Sequence, residues 1–444
     1  MELANPRLID SGHALYRIRV GAIWRFLTRQ PASYWLICMY LFFEYVRPQQ
    51  IYTAIAFFPW AWLSIVLCVA SFVIEGARVR RWNPIDGLLG LFAIIVLAST
   101  ALAYAPEVSF RELPVFLSWI VIYFLITNTV TTERRFLVFV LSFLLYNFKM
   151  SLHSTRSWAS IGFAFRDWGT TGAPGWFHNS GEFGIEMTIF FPLAVFFITA
   201  LRPYWSRAKR AVFWLLPATA LTGMVASSSR GALLGGGMVL VWMLARSKSR
   251  YKLRALAVAG LLVAVIIVII PPEQMERLRM IGTDQSSQVR LRRWREGVDM
   301  ANAHPAFGVG YANWVEYSVD HYAITATLDP HNVLIQAVAE LGYTGLLAFA
   351  LLIAYTFVVN RRTRRLARAL EGGGLFLSNM ATGLDGALVG FLVSGFFVTV
   401  LYYPFFWINL AMTVALHTAT RNELARAAVA GAAGPQLAAE GGRS

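Results

Sequence analysis

Apolar residues along this chain form long unbroken runs, and polar residues collect in the shorter segments between them. A helix of about 20 apolar residues spans a bilayer. Because the runs do not alternate with polar residues, they predict helices and not the strands of a barrel. We therefore predict an all-α polytopic membrane protein with about 12 transmembrane helices. The predicted spans are 32–46, 55–74, 85–104, 112–129, 134–150, 182–201, 210–226, 231–246, 253–270, 332–358, 381–400 and 403–419.

The composition agrees with this fold class. Hydrophobic residues make up 57% of the chain and charged residues 14%, with 39 Lys and Arg against 24 Asp and Glu. In a soluble protein a net charge of +15 would suggest nucleic acid. In a membrane protein it reports topology and contact with anionic lipid, so we expect membrane lipids as partners and no nucleic acid. Cys38 and Cys68 lie in predicted spans and indicate neither a disulfide nor a metal site.

The basic residues orient the chain. Most Lys and Arg residues fall in alternate segments, beginning with the N-terminal arm, which predicts cytoplasmic N- and C-termini. The predicted division is a cytoplasmic arm (1–31), helices 1–9 (32–270), a large, partly helical periplasmic loop (271–330), helices 10–12 (331–419) and a cytoplasmic tail (420–444).

Two groups of arginines break this charge rule. Six arginines lie in the loop 271–330, and Arg230 stands in the short outside turn 227–231, Ser-Ser-Ser-Arg-Gly. Arginines on the outer side can contact lipid headgroups, but their number there favours an anionic substrate. Guanidinium groups bind phosphate oxygens in pairs and keep their charge, so they suit a pyrophosphate.

Residues 286–303 of this loop have a helical pattern. Arg290 and Arg293 share one face and are the candidates for substrate binding, whereas Arg292 and Arg295 are expected to meet lipid phosphate at the surface. Another face is apolar and is expected to pack against the membrane domain. It consists of Leu291, Trp294, Val298 and Ala301.

Two histidines at predicted helix starts are further candidates. Asp329 fits an N-cap and Pro330 a first helical position, so His331 would lie in the first turn of the tenth span. The helix dipole there opposes protonation, and a neutral imidazole can accept a proton from a hydroxyl. The alternative is an interfacial histidine that bonds a neighbour. His178 precedes Asn179 at the start of the sixth span. The sequence does not decide whether His178 caps this helix or contacts substrate.

Other kinds of chemistry have no pattern in the sequence. No Cys and His residues have the spacing of a metal site, and no Asp-x-Asp occurs in an outside loop. A glycine-rich nucleotide loop and a Gly-x-Ser-x-Gly elbow are also absent from the sequence. We therefore expect neither a metal nor a cofactor.

Five motifs occur in an order that resembles the O-antigen ligase and polymerase superfamily, over about residues 165–360. They are Ser229-Arg230-Gly231, Arg290-x-x-x-Trp294, His304-Pro305-x-Phe307-Gly308-x-Gly310, Pro330-His331-Asn332 and Glu340-x-Gly342. The segment 43–49, Phe-Glu-Tyr-Val-Arg-Pro-Gln, resembles the exosortase-associated O-glycosylation ligases of the same superfamily.

The resemblance implies a metal-independent glycosyltransferase of the bacterial inner membrane, with its active site facing the periplasm. Its donor would be a glycan on undecaprenyl pyrophosphate. By matching position, Arg230 and Arg290 would bind the pyrophosphate and His331 would be the essential histidine. Arg293 has no family counterpart and rests on the helical-face argument. His178 stands near a position that an Asn-rich turn often occupies in the family.

The sequence leaves several functions open. We favour an O-antigen ligase, which passes the glycan to lipid A–core. We expect that reaction to invert the configuration of the anomeric carbon. An O-antigen polymerase would pass it to another repeat unit, and a protein O-glycosyltransferase to a protein hydroxyl. A transporter of a lipid-linked anion is a more distant alternative and would show inverted repeats or ionisable residues in the middle of the membrane. A non-catalytic scaffold is a further one.

Overall fold

The computed structural model describes residues 14–164, 169–246, 285–322, 329–370 and 374–441 of the chain, with the backbone alone for 285–287 and 430–441. These residues form helices and irregular segments and no strand. In chain order the helices of seven or more residues are α1 Val20–Leu27, α2 Ala32–Tyr45, α3 Trp60–Ile74, α4 Pro84–Ala101, α5 Pro106–Thr129, α6 Glu133–Ser160, α7 Ser180–Leu201, α8 Arg207–Phe213, α9 Leu215–Ala226, α10 Arg230–Arg246, α11 Gln285–Ala303, α12 Trp314–Tyr322, α13 Val333–Ala367, α14 Leu375–Gly395 and α15 Pro404–Gly441.

The predicted all-α fold class is confirmed, and the chain is a multi-pass membrane protein. Within the described ranges, 7 helical segments are long and apolar enough to cross a bilayer. They are Thr53–Ile74, Pro84–Ala101, Pro106–Thr129, Glu133–Ser160, Ser180–Tyr204, Val333–Ala367 and Leu375–Gly395. The predicted number of 12 and the periplasmic side of the loop stay predictions. The ninth predicted span, 253–270, lies outside the described residues.

Helix α6 corrects the predicted end of the fifth span. The sequence predicted a span at 134–150 and an outside segment at 151–181, but the helix continues to Ser160. The added turns pack against α9, where the Ser151 hydroxyl donates to the Thr219 hydroxyl at 2.8 Å. Polar residues do not stop this helix because it rests on a neighbouring helix and needs no apolar side chains facing lipid there.

Glycines allow α10 to lie close to α14. A Cβ atom at Gly231 would lie 3.0 Å from Phe397 Cβ, and one at Gly235 would lie 3.1 Å from the Gly390 carbonyl oxygen. Small residues at such crossings let two membrane helices approach closely. Because α14 also packs along α7 and α13, it holds these helices in one bundle.

Helix α13 is broken at Gly342, which has φ 70° and ψ −174°. The motif at residues 304–310 docks onto this break. The N–H groups of Val309 and Gly310 donate to the carbonyls of Ala339 and Glu340 at 2.9 and 3.2 Å. The carbonyls of Ala339 and Glu340 therefore have donors despite the break. The same hydrogen bonds hold the segment after α11 against α13.

Replacing Gly342 with alanine is expected to lower the free energy of unfolding by about 2–4 kcal/mol. An L-residue is strained at this positive φ, and its Cβ would lie 2.7 Å from the backbone of Ala306. Gly237→Ala is the matched control, because a Cβ at Gly237 meets nothing within 4 Å. The apparent melting temperature in detergent measures both variants. An unchanged value for the Gly342 variant would contradict the expectation.

Candidate functional site

The α14–α15 loop, residues 396–403, lies beside the residues that the sequence analysis singled out. On one side it contacts α11, where the ring centroids of Phe396 and Trp294 are 5.1 Å apart. It also holds the segment before α13, because the His331 backbone N–H donates to Thr399 Oγ1 at 3.0 Å. The arginine-bearing helix of the large loop and the candidate histidine therefore meet at one loop.

The same loop contacts the starts of two further helices. Phe397 packs against Gly231, next to Arg230 at the first position of α10. A Cβ at Gly181 would lie 3.4 Å from Val398 Cγ2, which places the start of α7 beside the loop as well. Three of the five motifs and the start of α7, all far apart in sequence, are thus gathered around eight consecutive residues.

His331 lies before α13 and not in its first turn. Asn332 is the N-cap, and its Oδ1 accepts from two backbone N–H groups of the first turn at 2.8 and 3.2 Å. The prediction of Asp329 as N-cap and Pro330 as first helical residue is therefore wrong, because the Asn332 side chain lies nearer to those N–H groups. His331 itself has φ 47°, a left-handed conformation that is uncommon outside glycine.

The surroundings of His331 favour a neutral imidazole. Burial lowers the pKa of His331, and the positive charges of Arg290 and, to a smaller extent, Arg293 lower it further, while Asp329 acts in the opposite direction. The predicted neutral state thus has a different physical cause from the helix dipole. Both guanidinium groups thus act electrostatically on the imidazole.

The orientation of α11 differs from the predicted one. Leu291 and Val298 are each 40% exposed, so they do not form the face that packs inward. The inward side instead consists of Arg293, Glu296, Gly297, Met300 and Ala301. A Cβ at Gly297 would collide with the Ile335 side chain, so this glycine brings α11 close to α13. Trp294 and Ala301 of the predicted apolar face do pack inward, and the close contact at Gly297 and the apolar contacts of Met300 accompany them on the buried side.

The four arginines of α11 fall into different surroundings. Arg292 and Arg295 are exposed. Arg293 is 1% exposed, and its guanidinium pairs with Glu296 at 3.2 Å. Arg290 is half-buried on the side of His331. Of the two predicted binding residues on this helix, Arg290 is thus better placed to meet a ligand, whereas Arg293 is buried in an ion pair within the helix.

Arg230 begins α10 and is half-buried. The preceding turn is tight: Ser228 has φ 52°, and a Cβ at Gly184 of α7 would lie 3.0 Å from Ser227 Oγ. The N-terminal end of a helix carries a partial positive charge and favours anions. An arginine at that end adds to the positive potential, so this corner of the site is suited to an anionic group.

His178 stands at the rim, next to the start of α7. Its side chain is 65% exposed, and Nδ1 lies 3.5 Å from Glu182 Oε2. The capping role belongs to Asn179, which forms a capping box with Glu182. Of the two roles that the sequence left open for His178, capping is therefore taken by its neighbour.

The sequence analysis missed the α14–α15 loop as part of the site. The predicted spans 381–400 and 403–419 left only two residues between them, although α14 ends at Gly395 and α15 begins at Pro404. A signal was available, since the residue before a proline seldom continues a helix and Tyr402-Tyr403-Pro404 marks a turn.

Comparisons with known proteins agree with the motifs. Residues 211–350 match the family model described as O-antigen ligase. A curated "O-antigen ligase" of Pseudomonas aeruginosa is 26% identical over 184 residues, which are 41% of this chain and 43% of that protein. The "Exopolysaccharide production protein ExoQ" of Rhizobium meliloti is 25% identical over 316 residues, 67% of this chain and 68% of that protein. The match to the first of these relatives spans less than half of its length.

The matched region includes four of the five candidate residues. Arg230, Arg290, Arg293 and His331 lie within 211–350, whereas His178 lies before it. The resemblance to the O-antigen ligase superfamily is thereby confirmed, and residues 211–350 of this multi-pass membrane protein are the part that matches the O-antigen ligase family model.

Proposed function

We propose that this protein is an O-antigen ligase of the bacterial inner membrane. It transfers a glycan from undecaprenyl pyrophosphate to a sugar hydroxyl of lipid A–core on the periplasmic face. The observation that carries the proposal is the half-buried His331 with a lowered pKa beside the Arg290 guanidinium, within an O-antigen ligase family domain. A neutral base next to a fixed cation suits a reaction in which a hydroxyl loses a proton as an anion departs.

The proposed step is a direct displacement at the anomeric carbon. The acceptor hydroxyl oxygen forms the new glycosidic bond while the bond from the anomeric carbon to the pyrophosphate oxygen breaks. The electron pair of that bond leaves with undecaprenyl pyrophosphate, and the hydroxyl proton passes to His331. Attack from the face opposite the leaving group inverts the anomeric configuration.

The arginines supply the electrostatic part of this mechanism. Arg290 and Arg230 would hold the pyrophosphate and stabilise the charge that grows on it, with Arg230 assisted by the α10 N-terminus. Arg293, paired with Glu296, would fix the position of α11 and contribute to the potential at His331. His178 would contact substrate at the rim. Pyrophosphate is already a good leaving group, so the mechanism needs no metal.

The transporter alternative also has some support. Glu186 is fully buried within α7, and α13 is a broken helix, two features that transporters use for coupling ions. The break in α13 is, however, filled by the N–H groups of Val309 and Gly310, so the two carbonyls they bond already have donors. The candidate chemistry lies instead at the loops, which favours an enzyme.

The function is tested by supplying purified protein with undecaprenyl-pyrophosphate glycan and lipid A–core in detergent that contains EDTA. A lipopolysaccharide product of higher mass is the expected result. Repeat-unit and peptide acceptors run in parallel, since the polymerase and protein O-glycosyltransferase use the same donor. Transfer only to one of these would replace the ligase by that alternative, and loss of activity with EDTA would contradict a metal-independent reaction. Passage of unreacted donor across liposomes would favour the transporter.

A further inference from the structure

A cavity of about 710 Å³ lies beside the outer end of α2, away from the arginines. Its walls come from the segment 44–50, the following turn and start of α3, the middle of α5, and Trp176. A volume of this size is typical of pockets that enclose a small-molecule ligand. The segment 43–49, which the sequence analysis singled out and the proposed mechanism does not use, forms part of this wall.

The cavity combines aromatic rings with fixed polar groups. Trp119 and Trp176 lie with ring centroids 5.9 Å apart, and the Trp176 indole N–H donates to Glu44. Glu44 is 6% exposed and pairs with Arg47 at 2.9 Å. Tryptophans at a membrane surface often serve only as anchors, but Trp119 is buried, Trp176 is half-buried, and both line the cavity.

One polar atom of the cavity wall lacks a partner. The Gln49 side chain donates through Nε2 to the Phe43 carbonyl at 3.0 Å, which fixes the amide. Its Oε1 is buried and accepts no hydrogen bond. A buried acceptor without a donor is costly, so it indicates the place of a ligand that donates a hydrogen bond.

The chemistry of the wall narrows the class of ligand. A phosphate would meet the Glu44 carboxylate, and the Arg47 guanidinium already bonds Glu44 and Gln50. A purely apolar chain would leave the Gln49 acceptor unpaired. A neutral molecule with many hydroxyls satisfies both conditions, because its hydroxyls donate to amide and carboxylate oxygens while its C–H faces pack on aromatic rings. That combination describes a saccharide.

Contacts connect the cavity to the candidate site. The ring centroids of Trp176 and Tyr403 are 4.8 Å apart, and Tyr403 belongs to the α14–α15 loop. Thr399 of the same loop accepts the His331 backbone N–H at 3.0 Å. Trp176 of the cavity wall therefore contacts the loop that holds the His331 backbone.

We propose that this cavity binds the saccharide part of the acceptor. The inference rests on the proposed function, because a displacement with inversion brings the acceptor to the face opposite the leaving pyrophosphate. With the pyrophosphate at Arg290 and Arg230, the acceptor would approach from the side of Trp176, which contacts the α14–α15 loop through Tyr403. Sugar rings next to the reacting hydroxyl would then occupy the cavity, with a hydroxyl donating to Gln49 Oε1.

Binding of lipid-free core oligosaccharide, released from lipopolysaccharide by mild acid, tests this proposal. Calorimetric titration in detergent would compare the wild type with Gln49→Leu, which removes the acceptor, and Ser118→Phe, which fills the cavity from α5. We expect binding to be about five- to tenfold weaker for Gln49→Leu and abolished for Ser118→Phe. Ser378→Phe, at a half-buried serine of α14 outside the cavity, is the matched control and should bind as the wild type does.

The outcomes separate this inference from the proposed function. Unchanged binding in both cavity variants, or no binding by the wild type, would overturn the saccharide pocket even if transfer to lipid A–core occurs. Loss of undecaprenyl phosphate binding in Ser118→Phe, with oligosaccharide binding intact, would assign the cavity to a lipid chain instead. Oligosaccharide binding that depends on Gln49, in a protein that transfers no glycan, would support the pocket and refute the ligase.

Discussion

Replacing His331 with alanine is expected to lower the rate of glycan transfer by about 10²–10⁴-fold. The variant removes the group that accepts the hydroxyl proton but leaves the backbone bond from residue 331 to Thr399, which is donated by the main chain. The fold should therefore persist. Initial rates at saturating donor and acceptor, with the yield of folded protein measured beside them, give the comparison.

The pH dependence of the wild-type enzyme provides a second test of His331 as the base. Burial and Arg290 lower the pKa of His331 from its ordinary value near 6.5, so the neutral form is the main one at neutral pH. Protonation removes the base, and the rate should fall as the pH drops through this lowered value. The acid limb of the profile is therefore expected below about pH 6.5.

His153→Ala is the matched control for the histidine, because His153 is exposed on α6 and has no contact with the α14–α15 loop among the contacts described. Its transfer rate should equal that of the wild type. A His331→Ala protein that keeps more than about a tenth of the wild-type rate would exclude His331 as the general base, since a positioned base contributes at least that much.

The sequence was most informative where structure depends on local pattern. Unbroken apolar runs identify the fold class, and the helical periodicity of 286–303 agrees with α11 at Gln285–Ala303 to within one residue. The helix ends at Ala303, directly before His304-Pro305, and Gly308 follows with φ 69°. These features follow from side-chain spacing, proline and glycine, all of which act within a few residues.

The rotation of α11 could not be obtained in this way. Its apolar face suggested contact through Leu291, but the buried side carries Arg293, which is paired with Glu296, and Gly297, which packs against Ile335 of α13. The prediction of the N-cap of α13 was wrong for a related reason. Asp329 and Asn332 are both good capping residues, and the hydrogen bond of His331 to Thr399 decides which one takes the position.

The gathering of the candidate residues depends on contacts between distant segments. Arg230 and His331 are about a hundred residues apart, and the loop that both approach follows α14, farther along the chain. A single sequence carries no local pattern for such contacts. The motifs identified the residues, while the structure adds their common neighbour and the electrostatic link between Arg290 and His331.

Replacing Arg290 with alanine is expected to lower the turnover number by about 10²–10³-fold, because a fixed cation at the departing pyrophosphate is lost. Arg290→Lys should fall between alanine and the wild type, since lysine keeps the charge but cannot bind two phosphate oxygens with one planar group. Arg292→Ala is the matched control on the same helix, where the side chain is 63% exposed. It should change the rate little.

The same substitution should move the pH profile in a defined direction. Arg290 lowers the pKa of His331, so its removal raises that pKa and shifts the acid limb of the Arg290→Ala profile to higher pH, whereas the Arg292→Ala limb stays in place. Only an arginine close to the imidazole has this effect, because an exposed charge is screened by solvent and salt. A loss of rate without a shift would mean that Arg290 acts on the donor alone and does not tune the base. If Arg290→Ala and Arg292→Ala lowered the transfer rate equally, the pyrophosphate would have to bind away from the buried side of α11.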